Sequence, residues 1–263
     1  MLADTVSMSA KIRRIIIDRS HPVRVGHIGS SLSIADLLAV IYGSVLRRGD
    51  ASDRFVLSKG HAALALYAVL YCVGELSEAE LESYCLDGSS FGEHPDHVTP
   101  GIEFSTGSLG MGLSYATGLA LGAKLRASDQ RTVVLMSDAE LNEGATWEAA
   151  MFAAHHQLSN LLLVLDLNGQ QALGRTSDVL HLEELEKRWE AFGWDSVVVD
   201  GHDHAALTQC VDALNWEDGP PHVLLAQTVF GRGVGFMERQ LGWHYWSMSD
   251  EQYASARQAL EAR

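Results

Sequence analysis

The chain has 263 residues, of which 47% are hydrophobic, and this is enough for one large core or two small ones. Its formal charge of −15 at pH 7 argues against a role in binding nucleic acid or an acidic membrane surface. An anionic small ligand is still compatible with this charge, because a metal ion and a few oriented N–H groups reverse the field locally.

The first predicted elements are three helices. Residues 33–46 have helical spacing, with Ser33 as a candidate N-cap, and residues 62–73 predict a buried helix. Residues 111–126 are rich in Ala, Gly and Leu, which is typical of a helix that packs closely on its neighbours.

A strand, a helix and a second strand follow. Residues 132–136 are a short β-branched apolar run, residues 143–157 have helical spacing, and residues 160–165 form another apolar run. That order is the unit of a parallel sheet buried on both faces. Beyond it the sequence predicts one helix and two strands, at 182–192, 196–199 and 223–229. We therefore predict one α/β domain spanning the whole chain, a doubly wound parallel sheet with helices on both faces.

The cysteines and the apolar runs indicate the cellular compartment of the protein. Cys72, Cys85 and Cys210 form no CxxC pair, and we expect buried thiols rather than a disulfide framework. The first apolar cluster, at 15–17, is too short for the core of a signal peptide. No apolar stretch reaches the ~18 residues that a membrane span needs. The sequence therefore predicts a cytoplasmic protein with no membrane partner.

Polar residues stand at the ends of the two neighbouring predicted strands. Asp138 follows the first of these strands, and Asn168-Gly169 follows the second. Taken singly, Asp138 is explained as a helix cap and Asn168-Gly169 as a plain turn. In doubly wound sheets, however, ligands bind beyond the carboxyl ends of the strands. The pair offers two oxygen ligands of the kind that Mg²⁺ uses together with phosphate and water.

The interval from Asp138 to Asn168 resembles the thiamine diphosphate motif of the transketolase family, which is written GDG and is followed at a similar interval by N. Five further segments are similar to family segments in the same order: 26–29, 53–61, 92–95, 106–110 and 231–244. The likeness covers almost the whole chain. It implies a thiamine diphosphate-binding fold and a transferase that uses thiamine diphosphate and Mg²⁺.

The resemblance also implies which residues hold the cofactor. Asp138, the side chain of Asn168 and the backbone carbonyl of Gln170 are expected to bind Mg²⁺, which bridges the two phosphates. Gly107 and Leu109 are expected to offer backbone groups to the aminopyrimidine ring.

Four histidines and one glutamate are expected to serve catalysis on the same grounds. His27, His94 and His244 are expected to line the substrate channel and to move protons on substrate hydroxyls, a task suited to a side chain that titrates near neutrality. His61 is expected to donate to the diphosphate or to face that channel. Glu143 is expected at a subunit interface, hydrogen-bonded towards the partner's active site.

The remaining histidines receive a structural interpretation, and His97 is left open. The structural set is His155, His156, His181, His202, His204 and His222. A zinc site is an alternative for His94 and His97, which have ligand-like spacing. No Cys or acidic ligand completes such a site.

One local departure from the family lies at the phosphate site. This chain has Ser137-Asp138-Ala139 where the family has Gly-Asp-Gly, and each replacement adds a Cβ where backbone ordinarily approaches phosphate. Serine can donate its hydroxyl, and alanine is the smallest intrusion. We therefore predict that Ala139 still contacts the cofactor, that binding is retained and that it is weakened.

A full-length family member adds a pyrimidine-binding module and a C-terminal module after the portion present here. The resemblance thus implies a second subunit that carries both modules, in an α2β2 assembly. The expected activity is transfer of a two-carbon ketol unit from a ketose donor to an aldose or to a carrier-bound lipoyl or thiol acceptor. The alternative is a non-catalytic scaffold or regulatory protein, and its best support is the Ser137/Ala139 pair.

Overall fold

The structure is a computed structural model that describes residues 2–48 and 52–261. The helices in these ranges are α1 (Leu2–Val23), α2 (Ile28–Ser33), α3 (Ala35–Val40), α4 (Ala63–Cys72), α5 (Glu78–Glu82), α6 (Met111–Leu125), α7 (Gly144–His155), α8 (Thr176–Val179), α9 (Leu185–Ala191), α10 (His204–Asp212) and α11 (Asp250–Glu261). The strands are β1 (Arg54–Leu57), β2 (Thr132–Ser137), β3 (Leu161–Leu167), β4 (Gln170–Gln171), β5 (Gly174–Arg175), β6 (Asp195–Asp200) and β7 (His222–Gln227).

Five of these strands form one parallel sheet in the order β1-β2-β3-β7-β6. The other two, β4 and β5, pair as a short antiparallel ribbon directly after β3. Strands β2 and β3 are neighbours, and Ser137 at the end of β2 is in register with Asp166 in β3. The carboxyl ends of β2 and β3 therefore lie side by side at one edge of the sheet.

The sheet is buried on both faces. Alternate residues of β2 point to opposite sides, so that Val133 and Leu135 join the core with α1, α3 and α4. Val134 and Met136 join a second core with α6, α7 and α9. Both sides of the strand are apolar for this reason, as expected for a parallel sheet between two layers of helices. The predicted doubly wound α/β fold is confirmed.

Most predicted elements occur within a few residues of their expected bounds, but the helix predicted at 33–46 is wrong in its details. It is divided between α2 and α3 and ends in a π-helical turn, Ile41–Val45. Ser33 is the last residue of α2 and caps nothing. Its hydroxyl lies 2.8 Å from Asp166 Oδ2 and 2.9 Å from the carbonyl oxygen of Ser30, and its single hydrogen is shared between these two acceptors. A buried carboxylate on β3 thus determines the orientation of this side chain.

Several elements in the described ranges have no counterpart among the predicted ones, including the strand β1, the ribbon β4–β5 and the helices α1, α5, α8, α10 and α11. Helix α1 extends over 22 residues and buries Ile12, Ile16 and Ile17 against α3, α4 and α11. Asp203 caps α10 by accepting hydrogen bonds from the N–H groups of Ala205 and Ala206. Packing against the core stabilises α1, and a local cap stabilises the start of α10.

The thiols differ from the prediction in their burial. Cys72, Cys85 and Cys210 are free, as expected, but each is half-buried rather than buried. Partial burial raises the pKa of all three thiols. In the described ranges, no helix combines the length and the apolar character needed to cross a membrane.

Candidate active site

Asp138 stands at the centre of the sheet edge, where β2 leads into a 3-10 turn. Its carboxyl group is buried, and Oδ2 accepts a hydrogen bond from the N–H of Gly169 at 2.9 Å. Oδ1 is buried without a hydrogen-bond partner among the described residues. Burial, with the nearby negative charge of Asp166, raises the pKa of Asp138 to about 7. A cation beside Oδ1 would remove both penalties, so the site suits a metal ion.

Asn168 lies on the neighbouring strand end, immediately after β3. Its amide Nδ2 donates to Asp166 Oδ2 at 2.7 Å, and its Oδ1 accepts from the N–H of Gln170 at 2.9 Å. These two bonds fix which end of the amide is oxygen. A carbonyl oxygen has a second lone pair, so Asn168 Oδ1 keeps one acceptor site for a further partner.

A buried ion pair between Lys59 and Asp166 supports the side chain of Asn168. Lys59 Nζ lies 2.5 Å from Asp166 Oδ2, and both side chains are completely inaccessible to solvent. Asp166 also accepts from the hydroxyls of Ser33 and Thr228. The carboxylate is therefore fully engaged, and it holds Asn168 in one orientation.

Glu140 is a further site residue that the sequence analysis did not identify. It is completely buried and accepts hydrogen bonds from four donors on three segments. The hydroxyl of Ser58 and the N–H of Gly110, at 3.0 Å, donate to Oε1. The N–H of Ser137 donates to Oε2 at 2.9 Å, and the Ser137 hydroxyl lies 3.3 Å from the same oxygen. The Ser-x-x-Glu spacing of a capping box was the available signal.

A cleft of about 300 Å³ opens at this edge of the sheet. Seven of the predicted site residues line it: His61, Leu109, Ala139, Glu143, Asn168, Gln170 and His244. Gly107 is exposed beside His94, and a Cβ added to it would lie 3.3 Å from His94 Cδ2. The predicted residues thus converge on one region although they are dispersed along the chain.

The four predicted channel histidines form one cluster. Ring centroids are 5.4 Å apart for His27 and His61, 5.6 Å for His27 and His244, and 6.2 Å for His27 and His94. The rings of His61 and His244 are 5.4 Å apart. The cluster is anchored by the backbone, because the N–H of His27 donates to the carbonyl of His244 at 3.0 Å.

Three of these imidazoles are held in the neutral form. Burial lowers the pKa of His27, lowers that of His61 well below its usual value, and lowers that of His244 to about 4. Neighbouring imidazoles lower all three further, and so does the Lys59 ammonium. A neutral imidazole has one N–H donor and one acceptor, so each can exchange hydrogen bonds with a hydroxyl group at neutral pH.

Glu143 lies at the rim of the cleft, at the N-terminus of α7. Its side chain is exposed and makes no hydrogen bond to the described part of the chain. Gly110 packs closely against it, since a Cβ on that glycine would lie 2.6 Å from the Cβ of Glu143. Helices α6 and α7 pack side by side here and expose Met111, Met151 and Phe152 to 45%, 54% and 42%.

The other histidines include two with clear structural roles. Asp36 is buried and accepts from Arg13, from His202 Nδ1 at 2.6 Å and from His204 Nε2 at 3.1 Å. His97 is exposed and bonds through Nδ1 to Ser105 Oγ at 2.8 Å. Across residues 2–48 and 52–261, no group of three His, Cys, Asp or Glu side chains has the geometry of a metal site. The zinc alternative therefore gains no support.

Ligands of doubly wound sheets bind at the edge where this cleft opens. The fold and the cleft therefore define an α/β protein with a candidate ligand site at the carboxyl ends of β2 and β3. Residues 5–262 match the family described as "Transketolase, thiamine diphosphate binding domain". The chain belongs to the transketolase family and is one component of a transketolase-type transferase. The predicted family and enzyme class are confirmed.

Two curated relatives match over nearly their whole length. One of the subunits of the apulose-4-phosphate transketolase of Phocaeicola vulgatus is 35% identical over 270 residues, which cover 100% of this chain and 96% of the relative. The 6-deoxy-6-sulfo-D-fructose transketolase subunit SqwG of Clostridium sp. is 35% identical over 257 residues, 95% of this chain and 94% of the relative.

A solved transketolase from Campylobacter jejuni has the same fold, with a TM-score of 0.88 and 27% sequence identity. The match covers 99% of this chain but 42% of the solved chain. This chain therefore corresponds to less than half of that transketolase.

Proposed function

We propose that this chain is the N-terminal subunit of a transketolase and that its cleft holds thiamine diphosphate with Mg²⁺. The observation that carries the proposal is the buried, unpartnered Oδ1 of Asp138 next to Asn168 at neighbouring strand ends. When bound, the cofactor supplies the electron sink for breaking a carbon–carbon bond of the donor. The protein groups bind, orient and exchange protons around it.

Asp138, the side chain of Asn168 and the carbonyl of Gln170 are the proposed Mg²⁺ ligands. Burial raises the pKa of Asp138, and a divalent cation would favour the ionised form of this carboxyl group. The cation would also bind Oδ1 of Asp138, which has no hydrogen-bond partner in the described chain. Two side-chain oxygens and one backbone oxygen leave the remaining octahedral positions to phosphate and water, as Mg²⁺ prefers.

The histidine cluster is proposed to bind the hydroxyl groups of the donor. His27, His94 and His244 would exchange protons with these hydroxyls, and His61 would donate to the diphosphate or to the donor. The lowered pKa of three of these imidazoles supports this role, since a neutral ring both accepts and donates.

Three residues are proposed to contact thiamine diphosphate directly rather than through Mg²⁺. Gly107 and Leu109 would present backbone groups to the aminopyrimidine ring, and Ala139 would lie against the diphosphate. Leu109 and Ala139 line the same cleft, which supports a ligand that extends between them.

The missing part of the site is proposed to reside on a second subunit. Both relatives carry the word subunit in their names, which supports a partner chain with the pyrimidine-binding and C-terminal modules. We propose an α2β2 assembly in which residues 1–263 form one diphosphate-binding domain. The exposed face of α6 and α7, with Glu143 at its edge, is the proposed contact.

A ketose is the proposed donor. The names of the two relatives refer to apulose 4-phosphate and to 6-deoxy-6-sulfo-D-fructose, and both support a hydroxylated sugar. An aldose and a carrier-bound lipoyl or thiol group are both proposed as acceptors. A cytoplasmic location stays a prediction from the sequence.

Calorimetric titration tests the proposal. Thiamine diphosphate with Mg²⁺ is titrated into this chain alone and into its mixture with the candidate partner, which we expect to be encoded in a neighbouring reading frame. We expect binding that appears or tightens with the partner, and we expect Asp138→Ala to abolish it. The matched control is Asp212→Ala, which removes an exposed carboxylate at the end of α10.

Unchanged affinity in the Asp138→Ala variant would refute the metal role. Absence of binding in every mixture would mean that Ser137 and Ala139 close the phosphate site. The scaffold function would then replace the catalytic one.

A further inference from the structure

Glu140 is a buried carboxylate that joins segments far apart in the sequence. Its partners Ser58 and Gly110 lie 82 and 30 positions away, at the end of β1 and at the N-terminus of α6. Its third partner, Ser137, is local and completes a capping box. One side chain therefore connects β1, α6 and β2 at the edge of the sheet.

Two of these segments adjoin the cleft. Gly110 directly follows Leu109, and Ser137 directly precedes Asp138. Leu109 and Ser137 both line the cleft. The Ser58 hydroxyl extends the connection, because it accepts from the N–H of Gly112 at 3.1 Å in the first turn of α6.

The chemistry of these contacts requires a carboxylate. Two backbone N–H groups and the Ser58 hydroxyl all point at the two oxygens of Glu140, and a carboxylate can accept from all of them. A glutamine amide has a single oxygen, so its NH₂ group would face one of the two backbone N–H groups. That N–H would be buried without an acceptor.

We propose that Glu140 is a positioning residue that sets the spacing between the segment that holds the aminopyrimidine ring and the segment that holds the diphosphate. The inference rests on the proposed function and deepens it. It also assigns a role to Ser137, whose N–H and hydroxyl donate to Glu140. The serine that replaces the family's glycine at this position is therefore part of the hydrogen-bond network of Glu140.

The test compares two capping boxes of the same kind. Glu80 forms a capping box with Ser77 at the start of α5, but it is exposed and contributes nothing to the cleft. Glu140→Gln and Glu80→Gln therefore both weaken a local cap, and only Glu140→Gln also disturbs the bonds to Ser58 and Gly110. Each variant, in a mixture with its partner chain, is titrated calorimetrically with thiamine diphosphate at saturating Mg²⁺, which yields affinity and the number of sites separately.

We expect Glu140→Gln to weaken the affinity for thiamine diphosphate by about tenfold or more with an unchanged number of sites. The segments shift to relieve a buried N–H without an acceptor, and restoring their spacing on binding costs free energy on that scale. Glu80→Gln is expected to leave the affinity unchanged. Hydrogen exchange of the chain alone is expected to accelerate in peptides that cover residues 106–113 of Glu140→Gln, and not in that region of Glu80→Gln.

Three results would overturn the inference. One is an unchanged affinity in Glu140→Gln. Another is a reduced number of sites at unchanged affinity, which indicates that Glu140 serves only the fold. The third is an equal loss of affinity in both variants. If the unsubstituted protein binds no thiamine diphosphate, the proposed function itself is wrong, and the inference falls with it.

Discussion

The ion pair between Lys59 and Asp166 offers the sharpest test of what holds the site together. Both side chains are fully buried, and Lys59 Nζ is 2.5 Å from Asp166 Oδ2. Lys59→Met keeps the length of the side chain and removes its charge. It leaves a buried carboxylate that faces only the neutral donors Ser33, Asn168 and Thr228.

The size of the effect follows from these contacts. Removing one partner of a buried ion pair destabilises a protein by ~3–5 kcal/mol. Three neutral hydrogen bonds still stabilise the Asp166 carboxylate in Lys59→Met, so we expect the lower end, ~3 kcal/mol. For a domain of this size, that corresponds to a fall in Tm of roughly 6–12 °C.

Urea unfolding, followed by the fluorescence of the six tryptophans, measures the free energy of unfolding. The control is Lys187→Met, which breaks an exposed pair with Glu184 and is expected to change stability by less than ~0.5 kcal/mol. In Lys59→Met combined with Asp166→Asn, neither charge remains. The double variant should therefore lose ~1–3 kcal/mol less than the sum of the two single variants.

Additive losses in the double variant would refute this reasoning. So would a loss in Lys59→Met as small as that in Lys187→Met.

Three further predictions concern the interface, the buried network and the packing of α6. Glu143→Ala should impair the activity of the assembled enzyme much more than the thermal stability of the chain, and equal losses would contradict the interface role. Asp36→Asn should destabilise the chain by ~3 kcal/mol at pH 7. The hydrogen bonds to Asp36 hold its pKa far below the unfolded value of 3.8. This contribution is therefore fully present above pH 3.8 and declines progressively as the pH falls from 3.8 towards the folded-state pKa, so the stability difference between parent and variant should narrow in acid. Gly112→Ala, whose Cβ would lie 2.8 Å from the Cα of Ser58, should destabilise by ~1–3 kcal/mol, while Gly118→Ala, with nothing within 4 Å, should not.

The parallel sheet and the neighbouring strand ends that carry Asp138 and Asn168 follow from the sequence. The strands β2 and β3 are short apolar runs separated by one helix, and this pattern specifies parallel neighbours with adjacent ends. The four histidines are identifiable only through their family contexts, because their spacing alone does not indicate that His27 and His94 lie within 6.2 Å of each other.

The supporting contacts are not predictable, since their partners are remote in the sequence. Ser33 has the local pattern of a cap, but its acceptor, Asp166, is 133 positions away. No local feature of Lys59 predicts its burial. Glu140 has a local signal in its capping box, but the bonds to Ser58 and Gly110 that give it significance are long-range.

The neutral state of the channel imidazoles has a consequence for substrate choice. A donor that carries phosphate, sulfonate or no charge at all meets no fixed positive charge from His27, His61 or His244 at neutral pH. We expect this half of the enzyme to be indifferent to the charged end of the sugar, so that the partner chain selects it. In the proposed two-chain enzyme, pairing the same chain with a different partner would then redirect the activity to another sugar, so the arrangement would be modular and open to recombination.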